Sequence, residues 1–295
     1  MMDVEIECVY ESQDGLGEAP LWVEEEGCLY WSDHVGLKIN RWNPDTREAT
    51  SWDTPGPVGA FALRRRGGMV GASDAGFVKI DLAKDGYQTI VDPEAHMRYN
   101  RFNDGKCDRQ GRFWCGSMNK RIEEETGSIY RLDPDWSVHK VAPDFRFKVS
   151  NGTAFDPEST RMYFSDTLGD VVYVFDFDAD SGAISNRREF FSTGARPGMV
   201  DGGTVDEDGY YWCALVAGGQ ILRIDPKGRI DREINMPVPR PTCPAFGGEN
   251  HEVLYVTSQR LFMTDEELET YPQAGNLFAI HGLGVRGLAE PRFAG

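Results

Sequence analysis

The chain has 295 residues, 40% of them hydrophobic, with 33 glycines and 12% aromatics, a composition that supports a packed core and leans towards many short strands and tight turns. Its net charge of −17 sets up a field that repels phosphate backbones and anionic lipid and favours cations, which excludes nucleic acid as the expected partner. No apolar run reaches the roughly 18–20 residues of a membrane span, and the start from Met1 to Glu5 lacks the basic and apolar regions of a secretory signal; the expected location is the cytoplasm.

Along the chain the predicted elements are short strands at regular intervals. A strand over 4–10 comes first, then runs at 29–33 and 37–42, 68–72 and 77–81, 108–115 and 128–134, 162–166 and 172–176, 206–213 and 220–226, and finally 254–258 and 276–280. Each alternates with period two between Asp, Pro and Gly turn residues. Two copies nearly coincide: Asp108, Gly111, Trp114 and Cys115 recur as Asp206, Gly209, Trp212 and Cys213. Anchored on Trp31, Gly71, Trp114, Phe164, Trp212 and Val256, six copies follow one another at about 40–50 residues, the span of a four-stranded propeller blade. The expected fold is all-β, a six-bladed β-propeller of four-stranded blades over 1–295 as a single domain, its ring closed by the N-terminal strand. Helical periodicity is confined to one or two turns over 264–271.

Several motifs carry no function here. Gly282, Gly284 and Gly287 fit G-x-G-x-x-G without a following helix or a βαβ unit and read as a loop. Asp176, Asp178 and Asp180 imitate a calcium loop, but Gly182 falls one place late and Arg187 occupies the slot of the bidentate acid, leaving a solvated hairpin. Asn151–Gly152–Thr153 is a glycosylation sequon that matters only in a secreted chain. The five histidines are scattered, G-x-S-x-G is absent, and the six cysteines form no C-x-x-C pair and are expected to stay reduced, Cys115 and Cys213 within strands.

Glu18, Asn151 and Asp201 remain, each with Gly or a small residue beside it at the entrance to the innermost strand of a blade; the stretch before Asn151, 147–150, reads as a strand of its own. Innermost strands line the central channel, so these positions meet at one mouth, where two carboxylates and an amide oxygen make a hard donor set for Ca²⁺, Mg²⁺ or Mn²⁺. Each alone is also an ordinary turn residue. Arg101 and Asn103 occupy the same stage of their own blade and offer donors and acceptors suited to a polyhydroxylated or carbonyl-bearing ligand.

Taken together, Gly17–Glu18–Ala19–Pro20, the segment from Arg101 to Lys106, Ser150–Asn151–Gly152, the segment from Tyr163 to Thr167, and Asp201–Gly202 with Asp206 and Gly209 resemble the regucalcin (senescence marker protein)/gluconolactonase family over nearly the whole chain. The resemblance implies one divalent ion held by Glu18, Asn151 and Asp201, with Ca²⁺ first and Mg²⁺, Mn²⁺, Fe²⁺ or Zn²⁺ as alternatives. It implies hydrolysis of a small sugar-acid lactone with Asp201 as acid/base, and substrate contacts from Arg101 and Asn103, the latter shared with the metal site. Where animal members carry an acidic substrate contact, this chain has Asn119, Lys120 and Arg121, nearer to bacterial pentono- and hexonolactonases. The rivals are a phosphotriesterase or other esterase on the same metal and a non-catalytic calcium-binding protein.

Overall fold

The computed structural model describes residues 4–295; Met1, Met2 and Asp3, on which the reading of a leaderless start rests, lie outside the described residues. Six four-stranded antiparallel sheets follow one another as the blades of a β-propeller. From the channel outwards, the first blade is Gly17–Val23, Cys28–Asp33, Lys38–Trp42 and Ala49–Asp53. Four more repeat that order, their innermost strands being Val58–Leu63, Asn100–Cys107, Ser150–Phe155 and Met199–Val205. In the sixth, Pro241–Gly247, Val253–Ser258 and Leu277–His281 are completed by the N-terminal strand Glu5–Tyr10, with Glu5 opposite His281 and Cys8 opposite Phe278. The expected ring closure is thus present, and only the short outer edge of each blade is left unpaired. The expected short helix is Asp265–Thr270, capped by Thr264 and Glu267 in a reciprocal capping box.

All six anchor residues fall in the second strand of their blade. The Asp-x-x-Gly-x-x-Trp pattern has a local cause. Asp206 takes the amides of Asp208 and Tyr210 on one oxygen (3.1 and 3.0 Å) and the Trp212 indole N–H (2.9 Å) on the other. Asp108 does the same for Gln110, Arg112 and Trp114. One buried carboxylate therefore folds the hairpin and orients the large side chain that follows, and Gly111 and Gly209 supply the left-handed turn position (φ 88° and 80°).

Six apolar clusters hold the ring together, each filled from two neighbouring blades: Trp114 wedges against Phe155 and Phe177 at 5.8 Å, and Trp212 against Phe246 at 5.7 Å. Because the apolar surface is spent between blades, the centre is left to polar side chains. The channel runs through the centre of the ring. Its far end is crossed by the chain after His281, where Gly287 bridges to Asp206, Glu290 reaches Lys106 Nζ at 2.8 Å, and Phe293, fully buried, pairs with Arg64. The G-x-G-x-x-G stretch is part of this strap, as a loop. The Asp176–Asp180 turn joins Val171–Asp178 to Ala183–Ser192, with Asp178 accepting from the Ser181 amide at 2.7 Å. All six cysteines are free thiols. No helix is long and apolar enough to cross a membrane among the described residues.

Candidate metal centre

Glu18, Asn151 and Asp201 lie inside their innermost strands rather than at the entrances, and 147–149 form no strand; the Lys148 and Val149 amides instead donate to Asp166 Oδ1. The reason is a break in register repeated in every blade. Pairing with the second strand slips between Glu18 and Leu21, Val58 and Ala60, Phe102 and Gly105, Asn151 and Ala154, Val200 and Gly203, and Pro241 and Pro244. A bulge re-aims the side chains beside it, and here six bulges at one level turn Glu18, Asn103, Asn151 and Asp201 into the channel. Two bulges are held in left-handed backbone. Ala19 sits at φ 51° and Gly152 at φ 60°, the first carrying a Cβ in a region that costs about 1 kcal/mol. Gly152 also lies where any Cβ would run into the Tyr211 hydroxyl, which donates to its carbonyl at 2.9 Å.

The amides are fixed by one chain of hydrogen bonds. Arg101 Nη1 donates to Asn103 Oδ1 (2.6 Å), Asn103 Nδ2 to Asn151 Oδ1 (3.0 Å) and to the Ser150 carbonyl (2.8 Å), and Asn151 Nδ2 to Thr167 Oγ1 (2.8 Å). Thr167 thereby orients Asn151 so that its carbonyl oxygen faces its neighbours, with a second lone pair still available. Asn103 spends its own carbonyl on Arg101. Asp104, the next residue along, accepts from the Thr153 amide at 2.7 Å.

The charges are unbalanced. Glu18, Asp104 and Asp201 are buried. Burial, then the charges of Asp201 and Asp104, holds the Glu18 carboxyl well above the usual range, Arg101 opposing only weakly. Asp201 is raised likewise by burial and by Asp104, against the Gly202 amide and the Asn151 side chain. Burial pulls Arg101 down to about 10, so it stays cationic at neutral pH. Beside it His34 is buried, pushed down to about 3 by burial and by Arg101, and its Nε2 has no partner. Packing like charges out of water is costly unless a counter-charge joins them. A divalent cation bound by oxygen would supply it, so the donor set fits such an ion. Among the described residues no three His, Cys, Asp or Glu side chains form a metal cluster, and a site here needs the Asn151 amide oxygen beside Glu18 and Asp201.

A sequence profile described as the SMP-30/Gluconolactonase/LRE-like region matches residues 16–260. The chain belongs to that family. It is 35% identical over 302 residues to a regucalcin of Xenopus laevis and 36% identical over 297 residues to a 6-deoxy-6-sulfogluconolactonase of Pseudomonas putida, with 100% of both chains covered in each case. Among solved structures it resembles a calcium-binding protein, regucalcin, from Agrobacterium tumefaciens, with a TM-score of 0.91 and 28% identity over 97% of this chain and 96% of that one. The family as a whole is associated with lactone hydrolysis and calcium binding.

Sequence reasoning singled out Glu18, Arg101, Asn103, Asn151 and Asp201, and the fold brings all five to one level of the channel. It gave no role to Asp104, Thr167 or His34. Thr167 and Asp104 carried a signal, since they lie in the Tyr163–Thr167 and Arg101–Lys106 stretches of the family resemblance; His34 carried none.

Proposed function

We propose that this chain hydrolyses a sugar-acid lactone, an aldono-1,4- or 1,5-lactone, to the aldonic acid, using one divalent cation held by Glu18, Asn151 and Asp201, with Ca²⁺ as the first choice. The observation that carries the reading is the burial of two uncompensated carboxylates beside an oriented amide oxygen, next to the Arg101–Asn103 pair. The names of the Pseudomonas putida and Agrobacterium tumefaciens relatives support a lactone substrate and calcium respectively.

When bound, the ion supplies a positive charge that polarises the ester carbonyl, a contribution of several kcal/mol to such reactions. Asp201 takes a proton from the attacking water as its oxygen joins the carbonyl carbon. It returns that proton to the ring oxygen as the carbon–oxygen bond breaks, for about 10²–10⁴-fold in rate. Arg101 and the Asn103 amide orient the sugar hydroxyls.

The test is acid release from a panel of aldonolactones followed with a pH indicator, after chelation and again with Ca²⁺, Mg²⁺, Mn²⁺, Fe²⁺ or Zn²⁺ restored. Metal-dependent opening of one lactone is expected, and Glu18→Ala should lose both metal binding and turnover. Metal binding without acid release from any lactone overturns the proposal in favour of a calcium-binding protein.

A further inference from the structure

Beyond the candidate cation site the channel holds one more charged pair, and the proposed reaction does not use it. Lys106 follows Asn103 and Asp104 on the innermost strand Asn100–Cys107, and Glu290 comes from the strap that crosses the far end. Their side chains are only 18% and 16% exposed, and Lys106 Nζ meets Glu290 Oε1 at 2.8 Å. Nζ also donates, at a long 3.5 Å, to the carbonyl of Gly203, just past Asp201 on its strand. The pair therefore stands between the strap and the strand that carries Asp201. The path of the strap brings Glu290 there, since Gly287 bridges to Asp206 and the Phe293 amide donates to the Leu63 carbonyl at 2.9 Å.

The buried thiol of Cys243 marks how close the pair lies to the site. A Cβ on Gly202 would come within 2.5 Å of its Sγ. Burial first, then Glu18 and Asp104, push this thiol well above its usual value, with Lys106 opposing and Asp201 adding to the push. One atom thus feels the three channel carboxylates and the ammonium together. Burial works against the Lys106 ammonium, yet Glu290, with smaller help from Cys243 and Asp104, raises it above its usual value, so it stays charged. Asp104, pushed up by burial, is pulled back by the Thr153 amide and by Lys106. Among the described residues Glu290 is the one carboxylate with which Lys106 forms an ion pair. A lysine head is a point charge on a flexible stem, and a buried charge that loses its partner is costly. Without Glu290 the ammonium would turn to the uncompensated carboxylates of the channel and take up the negative field on which a divalent ion depends.

We infer that Glu290 is a positioning residue for the cation site: reaching in from the strap, it holds the Lys106 ammonium on itself and on the Gly203 carbonyl, and so leaves Asp104 and Asp201 free of a competing cation. The far end of the channel thereby sets the affinity of the site. The inference rests on the reading of Glu18, Asn151 and Asp201 as the ligands of a divalent ion, and on the contacts of Lys106 for the part played by Glu290.

The test is calorimetric titration of Ca²⁺ into the full chain after chelation, for the wild type, Glu290→Gln, Lys106→Met and the double variant. In partly buried surroundings a unit charge moved a few ångströms towards the ion suffices for a large change in affinity, so Glu290→Gln is expected to weaken binding about tenfold or more where Lys106 is present. Where Lys106→Met is also present, the same substitution should cost less than about threefold, the two positions being coupled. Lys106→Met alone should bind Ca²⁺ at least as tightly as the wild type. Equal weakening by Glu290→Gln in both backgrounds overturns the inference, because a loosened strap or the mere loss of one negative charge would act without Lys106. So does a Glu290→Gln variant that binds like the wild type, or a Lys106→Met variant that binds more weakly, and this last arm stands even if Glu290→Gln does not fold. A wild type that binds none of Ca²⁺, Mg²⁺ and Mn²⁺ is a separate outcome, which overturns the cation reading and the inference with it.

Discussion

Removing the Asp206 carboxylate gives a stability change whose size can be worked from its contacts. The side chain is fully buried and accepts from the Trp212 indole (2.9 Å), Arg223 Nε (2.8 Å) and the amides of Asp208 and Tyr210. Asp206→Ala strands the indole N–H, at about 1–3 kcal/mol, and breaks one arm of a buried ion pair whose full loss costs about 3–5 kcal/mol. Arg223 keeps Asp231 and Asp208 at 2.9 and 3.1 Å, so the second cost is partial and the total should be about 3–5 kcal/mol. With an unfolding entropy of about 2.1 cal/mol/K per residue over 295 residues, Tm falls by about 5–8 °C. Calorimetry on the wild type, Asp206→Ala, Trp212→Phe and the double variant tests this, because Trp212→Phe removes the donor that Asp206→Ala orphans. The two single losses should therefore overshoot the double by at least about 1 kcal/mol. A fall in Tm below about 2 °C, or strict additivity, would refute the account of the Asp-x-x-Gly-x-x-Trp repeat given above.

Two further outcomes are expected. In chelator, Asp201→Asn should melt above the wild type by about 2 °C or more, equivalent to roughly 1 kcal/mol in a chain this long, because a neutral amide no longer faces Glu18 and Asp104; with Ca²⁺ added the wild type should gain Tm and the variant should not, and a variant that melts lower in chelator contradicts the charge argument. Asp14, pushed up to about 7 by burial and by the Asp33 charge while accepting from the Trp31 indole at 2.8 Å, contributes stability that is complete below the unfolded value near 3.8 and lost as pH rises through 7. The Tm advantage of Asp14→Asn over the wild type should accordingly grow between pH 5 and pH 8.5, with roughly 3 kcal/mol as the ceiling over that range, and a difference independent of pH in scanning fluorimetry would count against it.

The blades were legible because their signal is local: Trp31, Trp114 and Trp212 each recur shortly after a turn glycine, and each landed in the strand expected of it. The site residues were legible for a different reason: Glu18, Asn151 and Asp201 are charged or amide groups beside Gly or Ala where packing alone would not place them, and Arg101 and Asn103 stand at the same stage of their own blade. Their aim was not. A bulge is a mismatch between two strands, so nothing in Gly17–Val23 by itself announces that Ala19 turns left-handed and rotates Glu18 into the channel. The strap from Gly282 to Phe293 was equally opaque, because it has no periodicity and is ordered by what it covers, as Glu290 is by Lys106. The same limit hid the hydrogen-bond chain from Arg101 to Thr167, which joins residues 66 positions apart through three hydrogen bonds that only the ring brings together.

The pairing of Glu5–Tyr10 with Leu277–His281 also sets a schedule for synthesis. At about 5–20 residues per second, the first strand leaves the ribosome some 15–60 s before its partner exists. Throughout that interval Glu5–Tyr10 and the inner face of the first blade are unpaired and open to other chains. Contacts of such sequence separation close slowly. The five earlier blades can assemble in order as they emerge, but the channel acquires its full set of carboxylates, and any affinity for a cation that depends on their spacing, only when the last strand clicks the ring shut. Ion binding would then mark a finished molecule, and a nascent chain would be blind to it.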